Sequence, residues 1–277
     1  MSVDAHFHVW DLSVRDQDWI DEHSPLRRNF TIEELAPEAR AAGVDRAVLV
    51  QTITVPEETP EFLALAAEHE LIAGVVGWTD LTRPDIADEL ARLLELPGGR
   101  YLKGIRHQVQ GEPDPQWLLR ADVRRGLAAV ADAGLVYDLV VQPHQLPACV
   151  KAAGDHPDLT FVLDHLGKPP IASGEREPWE TAVRSLAALA NTVCKVSGMI
   201  TEADLASWSV DDLRPYADVV LDAFGPQRLM FGSDWPVCTP AAPYREVVSV
   251  ARELTAGLDA AERADVFAGT ATRAYGL

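Results

Sequence analysis

The chain has 277 residues, of which 47% are hydrophobic and 24% are charged, a composition typical of a globular protein with a substantial core. Its 24 basic and 43 acidic side chains give a formal net charge of −19, which disfavours nucleic acid and anionic membrane surfaces as partners. No apolar run approaches the roughly 20 residues needed to span a bilayer, and no leader with an apolar core is visible. We therefore expect a cytoplasmic protein.

Eight short apolar segments rich in β-branched residues alternate with segments of helical period. Strands are predicted at Val3–Val9, Arg46–Gln51, Leu71–Trp78, Leu102–Val109, Val136–Gln142, Thr160–Leu166, Val193–Ser197 and Leu229–Trp235. Helices are predicted at Thr31–Ala42, Pro56–Glu70, Pro84–Leu96, Ala121–Ala133, Gln145–His156, Trp179–Ala190, Tyr244–Ala256 and Ala260–Tyr275. Strands that are apolar on both faces are typical of a parallel sheet covered by helices. The sequence thus predicts an α/β protein, a single (β/α)8 TIM barrel over residues 1–277.

In such barrels the catalytic groups follow the carboxyl ends of the strands, so polar residues at these points are the candidates. They are His6, His8, His107, His144, His165 and Asp234. His6 and His8 are one residue apart, so on a strand both point to the same side and can hold one divalent cation. Asp4 shares that parity one step deeper.

Asp234 ends the eighth strand, where a buried carboxylate needs a partner. It can act as a metal ligand and as a general base toward water. His165 at the sixth strand is the best third imidazole, whereas Asp164 has the opposite parity and is expected to face the helices or a turn. A serine hydrolase is disfavoured because the G-x-S-x-G pattern is absent.

The remaining candidates are expected to contact substrate. His107 ends the fourth strand, and Arg106, of opposite parity, is expected to orient the loop. Lys195 shares a face with Ser197 and is a candidate for substrate binding or for a buried ion pair with a carboxylate. His144 is a further candidate. Trp235 is a candidate wall for a sugar ring, with aromatic packing as the alternative.

Five motifs in chain order carry a resemblance to a known family. They are Val3–Asp11, Lys103–His107, Asp164–Pro169, Cys194–Gly198 and Phe231–Pro236. Together they resemble the amidohydrolase-related family 2, metal-dependent hydrolases of TIM-barrel fold. Within it they resemble the lactonase branch, whose members act on L-fuconolactone, L-rhamnonolactone, 2-pyrone-4,6-dicarboxylate and sulfomuconolactone.

The resemblance implies a hydrolase acting on a carboxylic ester, which opens a sugar-acid lactone of the L-fuconolactone or L-rhamnonolactone type in carbohydrate metabolism. It implies one divalent cation, with zinc as the expected ion, although some members of the branch need none. The implied metal ligands are His6, His8, His165 and Asp234, with Asp234 and His165 catalytic. The expected partner is a small-molecule lactone, and a homo-oligomer is left open.

Three alternatives remain. A metal-dependent decarboxylase of an aromatic or unsaturated carboxylic acid would use the same residues. A dicarboxylate lactonase would need several Arg or Lys at strand ends, and the sequence offers few. A non-catalytic binding barrel would not need the convergent His and Asp set. A binuclear metal centre is not expected, because Lys103 lies too early in the fourth strand and His107 occupies its end.

Overall fold

The computed structural model describes residues 2–277 and consists of eight parallel strands surrounded by helices. The strands are β1 Val3–Phe7, β2 Arg46–Val50, β3 Ile72–Gly77, β4 Leu102–His107, β5 Val136–Leu139, β6 Phe161–Leu163, β7 Thr192–Val196 and β8 Leu229–Phe231. They pair in sequence order, and a parallel bridge between Phe7 and Trp235 brings β8 beside β1. The predicted (β/α)8 TIM barrel is confirmed.

The helices cover the outside of the barrel. They are α1 Ile32–Ala41, α2 Glu58–Glu68, α3 Ile86–Glu95, α4 Ala121–Asp132, α5 Leu146–Asp155, α6 Trp179–Ala187, α7 Val210–Phe224, α8 Tyr244–Leu254, α9 Ala260–Ala264 and α10 Thr270–Tyr275. The single helix predicted over Ala260–Tyr275 is divided by a π-helical turn at Asp265–Gly269. No helix among residues 2–277 is long and apolar enough to cross a bilayer.

The amino-terminal half of the barrel interior is apolar. Small and β-branched side chains fill it together with two residues of α10: Val3, Ala5, Val48, Val50, Val76, Val136, Val162, Met230, Ala271 and Tyr275. The larger core lies between the strands and the helices. Polar side chains further along the strands therefore enter an environment from which water is excluded, and each needs a partner.

The register of β1 is irregular between Asp4 and Phe7, and this irregularity decides which side chains enter the barrel. Val3 and Ala5 pack in the interior cluster, and the next residue, His6, also points inward. The Asp4 carboxylate instead accepts hydrogen bonds from the Ser233 backbone N–H at 2.8 Å and from the Tyr244 hydroxyl at 3.1 Å. The prediction that Asp4 shares the parity of His6 is wrong, because the irregularity interrupts the alternation. Burial raises the pKa of Asp4 to about 6.

Candidate active site

Three imidazoles and one carboxylate converge at the carboxyl end of the barrel. The His6 and His8 Nε2 atoms are 3.1 Å apart, and Asp234 Oδ1 is 3.7 Å from the first and 3.5 Å from the second. His165 Nε2 is 3.9 Å from the same oxygen. Two ligands of a tetrahedral zinc ion, each about 2.0–2.1 Å from the metal, are about 3.3 Å apart. His6, His8 and Asp234 therefore form a group that can hold a metal ion.

Hydrogen-bond partners at the Nδ1 atoms fix the orientation of the His8 and His165 rings. The His8 Nδ1–H group donates to the Val50 carbonyl oxygen at 2.7 Å, which leaves the Nε2 lone pair directed at the cluster. His165 Nδ1 lies 2.9 Å from the Ser197 hydroxyl oxygen. Gly198, with φ +61°, passes so close that a Cβ atom there would lie 2.6 Å from His165 Nδ1. The ring of His165 is thus held by both its hydroxyl partner and the backbone beside it.

His165 and Asp234 reach the site only because the backbone turns sharply after β6 and β8. Both residues adopt left-handed conformations, with φ of 52° at His165 and 58° at Asp234. Such conformations are uncommon outside glycine and concentrate at functional sites. Asp164 keeps the inward direction of Val162, two residues earlier. Asp164 and His165 are adjacent in sequence, yet both side chains point into the barrel. The prediction that Asp164 faces the helices or a turn is therefore wrong.

Beneath the imidazoles lies a fully buried network of charged groups. Lys195 Nζ is 2.5 Å from Asp138 Oδ2, 2.9 Å from Asp164 Oδ1 and 3.1 Å from His6 Nδ1. The Tyr275 hydroxyl of α10 donates to Asp138 Oδ2 at 2.8 Å. The ion pair expected of Lys195 is present, and the enclosure of its ammonium group separates it from the cleft. Asp138 was missed by the sequence analysis, although a lone carboxylate within an apolar strand signals a buried partner.

Burial and neighbouring charges set the protonation of this network. Burial raises the pKa of Asp138 to about 6, with the charge of Lys195 opposing the rise. Burial also acts to raise the pKa of Asp164, but Lys195, His6 and Arg106 outweigh it and hold that pKa well below its ordinary value. The pKa of His6 is lowered by burial and by the Lys195 charge. Asp164 is therefore ionised and His6 is neutral near pH 7.

Arg106 points into the barrel, contrary to the prediction. Its Nη1 is 2.9 Å from Asp164 Oδ2, and its Nε donates to Gln51 Oε1 at 3.0 Å. His107 then faces outward, where Nε2 is 2.7 Å from Glu112 Oε1 and the ring stacks on Trp117 at 4.2 Å. The two polar residues at the end of β4 have exchanged their predicted sides. The interior parity of β4 belongs to Gly104, which lies against interior valines, and to Arg106.

Three members of the cluster, His8, His165 and Asp234, line a cleft of about 380 Å³, whereas His6 is fully buried and does not. The cleft is lined by His8, Trp19, Thr52, Arg106, Gln108, Gln110, Gly111, Val140, His165, Lys168, Thr201, Glu202, Asp234 and Val237. A cavity of the same volume between the β1–α1 segment and helices α1 and α2 contains none of the clustered imidazoles. His107 and Lys195 do not line the cleft, and neither do His144, which is exposed, and Trp235, which packs against Phe30.

The electrostatics of the clustered residues suit hydrolysis. Burial acts to raise the pKa of Asp234, but contacts with His165, His8 and His6 outweigh it and hold the pKa below its ordinary value. Burial lowers the pKa of His165 to about 4, with Asp234 acting in the opposite direction. Near neutral pH the site therefore presents the ionised Asp234 carboxylate beside the neutral imidazoles of His6 and His165, an acceptor for a proton next to hydrogen-bond donors.

Glu58 supports the wall of the cleft from outside. Its carboxylate accepts hydrogen bonds from the backbone N–H of Thr52 at 2.9 Å and from the Thr52 hydroxyl. The Thr52 hydroxyl oxygen in turn accepts a hydrogen bond from Gln17 Nε2 at 3.0 Å. Burial raises the pKa of Glu58 to about 7, and the hydrogen bonds from Thr52 only partly oppose this rise.

Glu58→Gln is expected to change the pH dependence of stability. The folded protein keeps the Glu58 proton between about pH 4.5 and 7, whereas the unfolded chain releases it. The contribution of Glu58 to the free energy of unfolding is therefore full below this window and falls as the pH rises through it. The fall amounts to at most about 3 kcal/mol, at 1.36 kcal/mol per pKa unit. Urea unfolding measured below and above this pH window should show that the free energy of unfolding of Glu58→Gln rises relative to that of the wild type as the pH increases.

Glu68→Gln, on the exposed side of the same helix, is the matched control for Glu58→Gln. It makes the same chemical change at an exposed side chain, so an effect found in Glu58→Gln alone is due to the buried position. A Glu58→Gln difference that stays constant across the window would contradict the assigned role of burial.

Comparison with known proteins gives a consistent result. The amidohydrolase family model matches residues 3–277. The chain is 40% identical over 289 residues to an L-fucono-1,5-lactonase of Burkholderia multivorans, covering 100% of this chain and 96% of the relative. An L-fucono-1,5-lactonase of Burkholderia ambifaria is 38% identical over 240 residues, with 85% and 80% covered. A crystal structure of a Burkholderia multivorans amidohydrolase with bound zinc superposes with a TM-score of 0.93, at 39% identity and with 100% and 99% covered.

Proposed function

The chain belongs to the amidohydrolase family, and from that membership and the geometry of the site we propose that it is a lactonase. Its substrate would be a neutral sugar-acid lactone of the L-fucono-1,5-lactone type, opened by attack of water. The observation that carries the proposal is the convergence of His6, His8 and Asp234 on one point at the cleft. The full-length similarity to two curated lactonases supports this choice of reaction.

The residues fit a zinc ion, which we propose as the cofactor. His6, His8 and Asp234 offer two imidazole nitrogens and one carboxylate oxygen, the ligand types that zinc prefers, and three protein ligands leave one position open, as in catalytic zinc sites. Bound there, the ion would act as a Lewis acid toward the lactone carbonyl. The hydrogen bond from His8 Nδ1–H to the Val50 carbonyl oxygen is the one that a metal-binding histidine usually makes with its other ring nitrogen.

Asp234 is the proposed general base. It accepts a proton from the attacking water while a bond forms between the water oxygen and the carbonyl carbon. The bond from that carbon to the ring oxygen then breaks, and Asp234 returns the proton to the ring oxygen, which leaves as a hydroxyl group. The open product is a carboxylic acid, and its ionisation releases one proton to solvent.

His165 is the proposed donor to the developing oxyanion. If the Ser197 hydroxyl donates to Nδ1, the proton of this neutral imidazole resides on Nε2, which faces the cluster. A donor preorganised at a buried site stabilises negative charge without reorganisation during the reaction. Lys195 and Arg106 act one layer deeper, where they hold Asp164 and, through it, the position of His6.

The proposal is tested by a pH-indicator assay on a panel of neutral aldonolactones, run with metal-free and zinc-loaded protein. We expect one sugar lactone to be opened rapidly, and faster with zinc. No hydrolysis of any lactone in either preparation would remove the proposal, and release of CO2 from an aromatic acid would then point to the decarboxylase alternative.

Zinc added to metal-free protein is expected to raise the melting temperature, because a ligand that binds only the folded state stabilises it. His8→Gln removes one of the three proposed ligands and is expected to weaken zinc binding by about 100-fold or more. Isothermal titration calorimetry measures the zinc affinity of the wild type and of each variant. His144→Gln is the control, since His144 is exposed and lies outside the cleft. Equal affinities for all three proteins would place the metal elsewhere.

A further inference from the structure

The cleft contains positive side chains, but each is already paired with a carboxylate. Of the cleft-lining residues within 2–277, Arg106 and Lys168 are the cations. Arg106 Nη1 is 2.9 Å from Asp164 Oδ2, and Lys168 Nζ is 3.1 Å from Glu202 Oε1. Arg106 is 3% exposed, so its partner cannot easily be exchanged. Lys168 and Glu202 are at the rim, with side chains 20% and 25% exposed, where a substrate group could compete.

The remaining polar groups of the cleft favour hydroxyls over carboxylates. The Oε1 atom of Gln110 is buried and has no hydrogen-bond partner among residues 2–277. An amide oxygen can only accept, so it suits a substrate hydroxyl, which can donate, and repels an ionised carboxylate, which cannot. The amide nitrogen of Gln108 already donates to the Thr52 carbonyl oxygen at 2.6 Å. Asp234 adds a further negative charge to the same space.

Backbone hydrogen bonds hold both Lys168 and Glu202 in position. Lys168 has φ +54° and its backbone N–H donates to the His165 carbonyl oxygen at 2.8 Å. The Glu202 carbonyl oxygen accepts a hydrogen bond from the Ala172 N–H at 2.9 Å. The ion pair therefore connects the segment after β6, which carries His165, with the segment after β7. Because both side chains line the cleft and are partly exposed, the pair can contact a group of a bound substrate.

We propose that Glu202 determines the substrate class by neutralising Lys168. The pair keeps the cleft selective for neutral polyhydroxylated lactones and against lactones that carry a second carboxylate. This inference rests on the proposed lactonase function and adds to it the residue that rejects anionic substrates. Without the Glu202 charge, Lys168 is free to form a charge-assisted hydrogen bond with a substrate carboxylate.

Glu202→Gln tests the inference with two matched substrates: an aldonolactone, and the aldarolactone of the same ring configuration, which has a carboxylate in place of the terminal hydroxymethyl group. We expect the ratio of kcat/KM for the aldarolactone to that for the aldonolactone to rise by about tenfold, the size of one charge-assisted hydrogen bond. The gain should reside in KM, because this contact is the same before and during ester cleavage. It should shrink at high ionic strength.

Two further variants separate the local effect from the general one. Glu253→Gln makes the same change in net charge on α8, away from the cleft, and should leave the ratio unchanged. Adding Lys168→Met to Glu202→Gln removes the cation and should abolish the gain. The inference is overturned if Glu202→Gln leaves the ratio unchanged, if the gain survives Lys168→Met, or if the wild type opens both lactones equally well. A wild type that opens no neutral lactone contradicts instead the proposed function itself.

Discussion

Asp234→Asn is expected to lower kcat for lactone opening by about 10²- to 10⁴-fold, the range measured for loss of a positioned general base. The amide keeps the shape of the carboxylate but cannot accept the proton of the attacking water. Of the two carboxylates that line the cleft within residues 2–277, Asp234 is the one whose Oδ1 lies within 3.9 Å of three imidazoles, whereas Glu202 pairs with Lys168. Steady-state hydrolysis at saturating zinc measures the effect.

The control for Asp234→Asn must separate loss of the base from loss of the metal. Zinc binding is therefore measured on the same preparation by calorimetry, and the fold is checked by circular dichroism. Asp218→Asn, exposed on α7, is the matched substitution and should leave kcat unchanged. Full recovery of activity in Asp234→Asn at saturating zinc would show that Asp234 serves as a ligand and that the base lies elsewhere.

Lys195→Met is expected to lower the free energy of unfolding by about 3–5 kcal/mol, the usual cost of leaving a buried charge without its partner. The side chain is fully buried between Asp138 and Asp164, and its removal leaves two carboxylates without their common cation. His6 also loses the partner at its Nδ1 atom. Activity should therefore fall by roughly tenfold or more, as for other partners of metal-binding histidines. Urea unfolding and hydrolysis assays measure the two effects.

Lys151→Met is the control for Lys195→Met, because the Lys151 side chain is 61% exposed and forms a surface pair with Asp155. Such pairs contribute little, so its unfolding free energy should change by less than about 1 kcal/mol. Adding Asp138→Asn to Lys195→Met should recover part of the lost stability, since one unpaired carboxylate is removed. Equal stability of the two lysine variants would contradict the assigned network.

The sequence predicts the barrel and the centre of the site because both depend on regular patterns. Eight apolar segments alternating with helical ones indicate the fold. The spacing of His6 and His8 correctly predicts that both imidazoles reach the same site, where their Nε2 atoms are 3.1 Å apart. Their meeting with His165 and Asp234 follows from the common edge at which parallel strands end.

The predictions of side-chain direction are wrong where the alternation of inward and outward side chains along a strand no longer applies or does not show which side chain points inward. β6 ends at Leu163, and the left-handed turn at His165 lets it join Asp164 in the site. A count by twos beyond the end of a strand has no physical basis, because the period of two belongs to the pleat. At β4 two adjacent polar residues, Arg106 and His107, offered no hydrophobic contrast from which to choose the inward side.

The hydroxyl of Tyr275 reaches Asp138 from the amino-terminal end of the barrel, so the charge network joins the first strand to the tenth helix. Ribosomes add roughly 5–20 residues per second, and His6 therefore leaves the exit tunnel tens of seconds before Tyr275. During that interval the strands can pair, but Asp138 has no hydroxyl donor and the barrel interior lacks the packing of α10. The buried network beneath the site is therefore complete only after α10 has been synthesised and has packed against the barrel.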